Sequence, residues 1–214
     1  MANFGIGTLE RFAFSKPEQF ETPLRATGAV TVLADLATLH DTHVVSLLGE
    51  RVLIRPLKVT DGALYPDFLK DVTQDDLRLR FFAPMRELSQ EMIDKLIHYD
   101  PENAMAFIAI EESTGKMLGV VRLHDDHSGK HGEFAILLRS RLKGHGLGWL
   151  LMKHMIAFAK EKGLESVRGQ VLAENATMLM MCSELGFHAH DDPDERGVRM
   201  VELPLADVPA LAPQ

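Results

Sequence analysis

Between residues 134 and 162 the chain runs from an apolar stretch through a glycine-rich turn into a long helix-forming segment. No other feature constrains the fold as much. The apolar stretch is Phe134, Ala135, Ile136, Leu137 and Leu138, and the turn over 139–148 reads Arg-Ser-Arg-Leu-Lys-Gly-His-Gly-Leu-Gly. A strand, a glycine turn and a helix in that order make an anion site. The glycines let backbone N–H groups approach a ligand, and the helix N-terminus adds partial positive charge. Arg139, Arg141 and Lys143 add full positive charge at the same place, in a chain whose formal net charge is −8. The expected ligand carries phosphate; a solvated basic turn is the plainer alternative.

Two familiar phosphate loops do not fit. A P-loop needs Gly-x-x-x-x-Gly-Lys-Ser/Thr, and a dinucleotide loop needs a third glycine after Gly-x-Gly-x-x. Here Gly146-Leu147-Gly148 is followed by Trp149, Leu150 and Leu151. The run 143–152, Lys-Gly-His-Gly-Leu-Gly-Trp-Leu-Leu-Met, instead resembles the Arg/Gln-x-x-Gly-x-Gly/Ala loop of the GNAT superfamily of acetyl-CoA-dependent N-acetyltransferases. Lys143 stands where Arg or Gln is usual and keeps the charge.

The 214 residues suit one domain plus a modest extension. Apolar runs fall far short of the ~20 residues a membrane helix needs, and the N-terminus shows no secretory pattern. With Cys182 as the only cysteine, intramolecular disulfides are impossible. A reducing, cytoplasmic setting is therefore expected. A pI near 5.7 argues against nucleic acid as a partner.

Residues 1–50 form an extension of unknown role. Phe4, Phe12, Phe14 and Phe20 need burial on the main domain or on a second copy, so a homodimer is one option. A short helix over 30–40 and a strand over 44–48 are expected within it. From residue 51 the pattern sharpens. A strand at 52–57 precedes a helix opening at Thr60 and Asp61, a second at 75–82, and a third capped by Ser89. Strands follow at 106–110, 118–123 and 133–138. After the loop and its helix come a strand at 166–172, a helix at 175–185 ended by Gly186, and closing strands at Phe187 and 198–203. Residues 204–214 read as a loose tail. The order is mixed α/β (α+β), not the regular alternation of a doubly wound sheet.

It is also the order of the GNAT fold, a central, mostly antiparallel, splayed sheet flanked by helices. The stretch 174–187, with Asn175 at its head and Leu185-Gly186-Phe187 at its end, resembles that superfamily's last helix. Several further segments resemble the catalytic domain of bacterial protein lysine acetyltransferases of the Pat type. They are 76–82 (Asp-Leu-Arg-Leu-Arg-Phe-Phe), 98–100 (His-Tyr-Asp), 119–123, 133–139, and Glu174-Asn175 with Met178-Leu179. The resemblance covers about 51–205.

It implies an acetyl-CoA-dependent transfer to an amine. Glu133 would be the general base, with Glu174 and Asp100 in reserve. Ile136, Leu137 and Leu138 would meet the pantetheine arm through their backbones, and the Leu138 N–H would hold the thioester oxyanion. Lys143, Gly144, His145, Gly146, Leu147 and Gly148 would cradle the pyrophosphate. Asn175 would touch the pantetheine arm, hold the strand ends apart, or simply cap its helix. Cys182 falls where many family members place an acid tyrosine; it is either a weak catalytic candidate or a small core residue. Met178, Met180 and Met181 read as core filling. The histidines at 124, 127, 131, 188 and 190, with Asp125 and Asp126, lack a closed ligand set, so no metal is expected. The acceptor is expected to be a protein lysine. A small amine (polyamine, amino acid or aminoglycoside) and a non-catalytic acyl-CoA-binding module are the alternatives.

Overall fold

The structure, a computed structural model, describes residues 42–45, 50–126 and 128–208. The expected helix over 30–40 and the early aromatics lie outside these residues. The strands are β1 (Thr42–Val45), β2 (Arg51–Pro56), β3 (Ala104–Glu111), β4 (Met117–Asp125), β5 (His131–Leu138), β6 (Ser166–Leu172), β7 (His188–Asp191) and β8 (Val198–Pro204). They form one sheet in the order β1-β2-β3-β4-β5-β6-β8-β7. The helices are α1 (Tyr65–Lys70), α2 (Gln74–Phe81), α3 (Gln90–Ile97), α4 (Leu147–Glu161) and α5 (Ala176–Glu184). Because β1 pairs with β2, the sheet reaches back past the expected boundary at residue 51.

Local chemistry sets the element ends. Thr73 and Ser89 cap α2 and α3 by accepting the Asp76 and Met92 N–H groups. Asp61 does not open a helix at the surface as expected. It is buried, takes Arg55 in two 2.7 Å hydrogen bonds, and accepts the Lys58 N–H, so a 3₁₀ turn (Val59–Leu64) precedes α1. The 204–214 tail is anchored at its start, where Leu205 is buried in the core.

Two cores lie against the sheet. One joins α1, α2 and α3 residues such as Phe68, Leu77 and Ile93 to Ile108 and Leu137. The other joins α4 residues Leu151, Met152, Met155 and Ile156 to Phe107, Val121 and Phe134. Side chains on β5 alternate between them, as a pleated strand requires.

The sheet forks between β5 and β6, its one parallel pair. Those strands are in register only at His131↔Ser166, Gly132↔Val167 and Glu133↔Arg168. Immediately beyond that last rung sits the Phe134 ring, edge-on to Phe187 at 5.5 Å. A Cβ on Gly169 would come within 2.5 Å of it. Phe134 is thus a wedge at the fork, seated against a residue with no side chain.

Candidate active site

The fork opens into a cleft of about 600 Å³. Its walls include Asp76, Leu79, Arg80 and Phe82 from α2 and its end, 134–138 of β5, the glycine loop, Gln170 and Val171 of β6, and one side of α5. Each wall offers different chemistry.

The β5 wall offers main chain. Its antiparallel ladder with β4 continues to Leu138, and the Arg139 N–H bonds the Leu118 carbonyl at 3.0 Å. That bond sets the parity. Odd-numbered residues of β5 turn their N–H and C=O toward β4, while Phe134, Ile136 and Leu138 turn theirs toward the fork. Beyond the Phe134 N–H, which closes the last rung with β6, no strand among the described residues pairs with them there. The expected exposed edge therefore exists at Ile136 and Leu138. Leu137, also expected to contact the coenzyme through its backbone, has that backbone committed to Val120 and its side chain in the core under α2.

The loop offers N–H groups. Gly144 and Gly146 have φ of 76° and 85°, which L side chains rarely adopt. Gly146 is also the N-cap of α4 and has no side chain to satisfy the helix's first N–H groups. Those donors and the helix dipole face the cleft end. The six expected loop residues differ in what they present to the cleft. The Lys143 and His145 N–H groups turn back to the Ser140 and Leu142 carbonyls at 3.3 and 3.4 Å. The Leu147 side chain belongs to the core, and His145 is exposed and does not line the cleft.

The loop's cations are a further correction. Arg139 is 2% exposed and points away, bonding Asp71 at 2.6 Å, Asp67 at 2.7 Å and the Met117 carbonyl at 2.7 Å. It holds both carboxyls below the usual range. Lys143 pairs with Asp76, which also accepts from Ser140. The local positive charge read from the sequence is largely consumed in pinning the loop to α1 and α2.

Glu133 heads the open part of β5 and shares its face with Ala135 and Leu137, under α2. Solvent reaches the side chain, which is exposed by area. Protein nevertheless crowds it. That crowding raises its carboxyl above the usual range, against the pull of the nearby Arg80 guanidinium. Crowding matters more than contact area here, because solvation of a charge depends on the surrounding volume. Arg80 is half-buried over the Phe81 ring at 4.7 Å. Burial, then Arg122, lowers its pKa to about 10, so it stays charged at neutral pH.

The reserve carboxylates are occupied. Glu174 is exposed and pairs with Arg78. Asp100 holds a turn through the Glu102 N–H and the Asn103 amide at 3.0 and 2.6 Å. Asn175 lines the cleft and caps α5 at Met178 N, 3.2 Å, so the expected capping role is present. Cys182 does not reach the cleft. It is buried in the α4-side core, outside the cleft lining, and burial pushes its thiol up to about 12. Met178 and Met181 pack against the core as expected, but the methionines also face the cleft, and Met180 is not core. Met178, Met180 and Met181 line the cleft, with Met180 and Trp149 exposed. Nothing in the sequence told the two sides of that helix apart. Arg80 and Asp76, visible only inside a resembling segment, gave no signal of their own.

No helix among the described residues is long and apolar enough to cross a membrane. His131 Nδ1 lies 2.9 Å from Ser166 Oγ, and His188 and His190 lie exposed on β7.

Comparison with known proteins agrees with this arrangement. The chain is 29% identical over 163 residues to an acetyltransferase of Pseudomonas aeruginosa, covering 74% of this chain and 88% of that one. The solved GNAT domain of S. lividans PAT superposes with a TM-score of 0.71 at 25% identity, over 78% of this chain and 97% of that one. A cAMP-binding acyltransferase from Mycobacterium smegmatis shares the fold, with a TM-score of 0.55 at 19% identity. That match covers 85% of this chain and 52% of the mycobacterial one, so the chain spans about half of it. A family model for the acetyltransferase (GNAT) domain matches residues 51–188. With the forked sheet, the open β5 edge and the glycine-capped helix, this match means that the chain belongs to the GNAT family and is an acetyltransferase of that type.

Proposed function

We propose that the protein moves an acetyl group from acetyl-CoA directly to an amine, preferentially a protein lysine side chain, with Glu133 as general base. The position of Glu133 carries the proposal. It is the last paired residue before the fork, on the α2 side, with a carboxyl raised toward the range where a base works at neutral pH.

The residues divide the work as follows. The N–H groups of Gly144, Gly146 and the first turn of α4 hold the pyrophosphate. The outward edge of β5 takes the pantetheine arm as an added strand. At about 3.3 Å per residue, Leu138 lies roughly 17 Å along the strand from Glu133, and Ile136 roughly 10 Å. An oxyanion donor must sit where the base's amine arrives. The spacing therefore favours the Ile136 N–H for that role and leaves Leu138 to the arm, a shift from the expectation above. The amine nitrogen attacks the thioester carbon, its proton passes to Glu133 through water, the C–S bond breaks, and the thiolate takes a proton from solvent. The cationic Arg80 beside Glu133 fits a polyamine acceptor poorly, and the wide cleft suits an inserted side chain.

The test is Glu133→Gln, assayed by thiol release from acetyl-CoA against a panel of proteins and small amines. The rate is expected to fall by ~10²–10⁴-fold at neutral pH with acetyl-CoA affinity nearly unchanged. A base works ionised, so wild-type activity is present above the raised Glu133 pKa and is lost as pH falls through it. The variant should lack that limb and recover partly at high pH. A variant within a few-fold of wild type would remove Glu133 from the mechanism. Turnover confined to small amines would replace the lysine acceptor. Tight acetyl-CoA binding with no turnover would favour a binding module.

A further inference from the structure

Several cations on the elements around the cleft are matched by carboxylates. Arg55 has Asp61, Arg78 has Glu174, Arg139 has Asp67 and Asp71, and Lys143 has Asp76. Arg80 makes no hydrogen bond and no ion pair with any described residue. Its guanidinium borders the main cleft beside Leu79, Phe82 and Ala135. It also borders the smaller cavity beneath α2, with Tyr65, Val120 and Arg122. Arg122 adds a second charge behind it. That residue is 8% exposed, donates to the Leu96 carbonyl and lies over the Tyr99 ring at 5.2 Å. Tyr65 cannot balance them, since burial keeps its hydroxyl protonated. Among the described carboxylates, Glu133 is the one that acts on Arg80.

Two guanidinium groups against one carboxylate leave a net positive charge at the wall where the amine would arrive. A half-buried guanidinium with unfilled N–H donors is stabilised by an occupant that brings an anion, and its planar fork suits a carboxylate in particular. We propose that Arg80 recognises the acceptor and selects an amine with a carboxylate close to it, such as an acidic residue flanking the target lysine. The inference rests on the reading that Glu133 marks the acceptor side. It deepens that reading by naming the acceptor's second group. Arg80 makes the contact, and Arg122 supports the field from behind. A polycationic acceptor meets repulsion at the same place.

The test uses the full-length protein with acetyl-CoA and two matched pairs of probes. One is a short peptide with lysine between aspartates, against the same peptide with asparagines. The other is free lysine against lysinamide. Thiol release gives kcat/KM for each. Fluorescence anisotropy of labelled peptides on the CoA-saturated protein gives binding that needs no turnover. The carboxylate-bearing member of at least one pair is expected to win by roughly ten- to hundredfold, mostly through KM or affinity. Arg80→Met should bring that ratio near one. Arg80→Lys should restore part of it, since the charge returns without the fork. A wild-type ratio near one in both assays, or a ratio that survives Arg80→Met, overturns the inference. So does a variant that only shifts the pH profile of the rate and leaves the ratio intact, because Arg80 would then act on Glu133 alone. If free lysine wins over lysinamide and both peptides are ignored, the protein-lysine reading fails while the role of Arg80 stands.

Discussion

Arg139 and Arg80 carry the same group and end differently. Arg139 belongs to the glycine-loop segment that looks cationic in sequence, yet its guanidinium is sunk beneath α1 and held by two carboxylates and a carbonyl. Arg80 lies far away in sequence, on α2, and comes to the cleft wall with no hydrogen bond or ion pair to the described residues. Proximity to a motif did not decide which arginine can meet a ligand. The supply of opposite charge around each did. The same distinction separates Lys143, which Asp76 occupies, from the uncapped N–H groups beside it.

The comparison can be broken most directly at the loop. If backbone donors rather than paired cations hold the pyrophosphate, Gly146→Val should weaken acetyl-CoA binding by about 100-fold or more. A β-branched residue is strained at φ 85° and blocks close approach. Calorimetry checks this, with circular dichroism to show the fold intact; unchanged affinity would displace the coenzyme from the loop.

Arg139→Met probes the structural side of the contrast. Losing charged hydrogen bonds at a buried arginine should cost about 2 kcal/mol and lower Tm by about 4–8 °C. Acetyl-CoA affinity of the folded variant should hardly change. A large affinity loss without a fall in Tm would make Arg139 a binding residue after all.

Lys143→Met is expected to have the smallest effect, a few-fold in acetyl-CoA affinity, because Asp76 already takes most of the ammonium's pull. The salt dependence of binding should stay close to that of wild type. A loss matching that of Gly146→Val would show that Lys143 leaves Asp76 for the phosphates.

Much of the fold was legible in the sequence. The strand at 166–172 has the expected bounds, and Ser89 caps its helix as read. Gly186, with φ 92°, follows α5 where the helix was expected to stop. These are local properties, decided by caps, period and glycine conformation. Asp61 was misread because the same residue type that caps an exposed helix also balances a buried arginine, and only the position of Arg55 distinguishes the two.

The site divides along the same line. The sequence by itself determined a glycine-capped helix after an apolar strand, because φ above zero and an uncapped N-terminus follow from residues adjacent in the chain. It also placed Glu133 in that strand, although the strand begins two residues earlier, at His131. Only the tertiary structure decided which main-chain groups of β5 stay open, because that depends on the parity of the β4 ladder and on Phe134 seated against Gly169. It likewise decided that Arg139 is held by carboxylates and Arg80 is not. Charge balance is summed over space, and the carboxylates that settle it sit on helices some seventy residues away along the chain from the loop they neutralise.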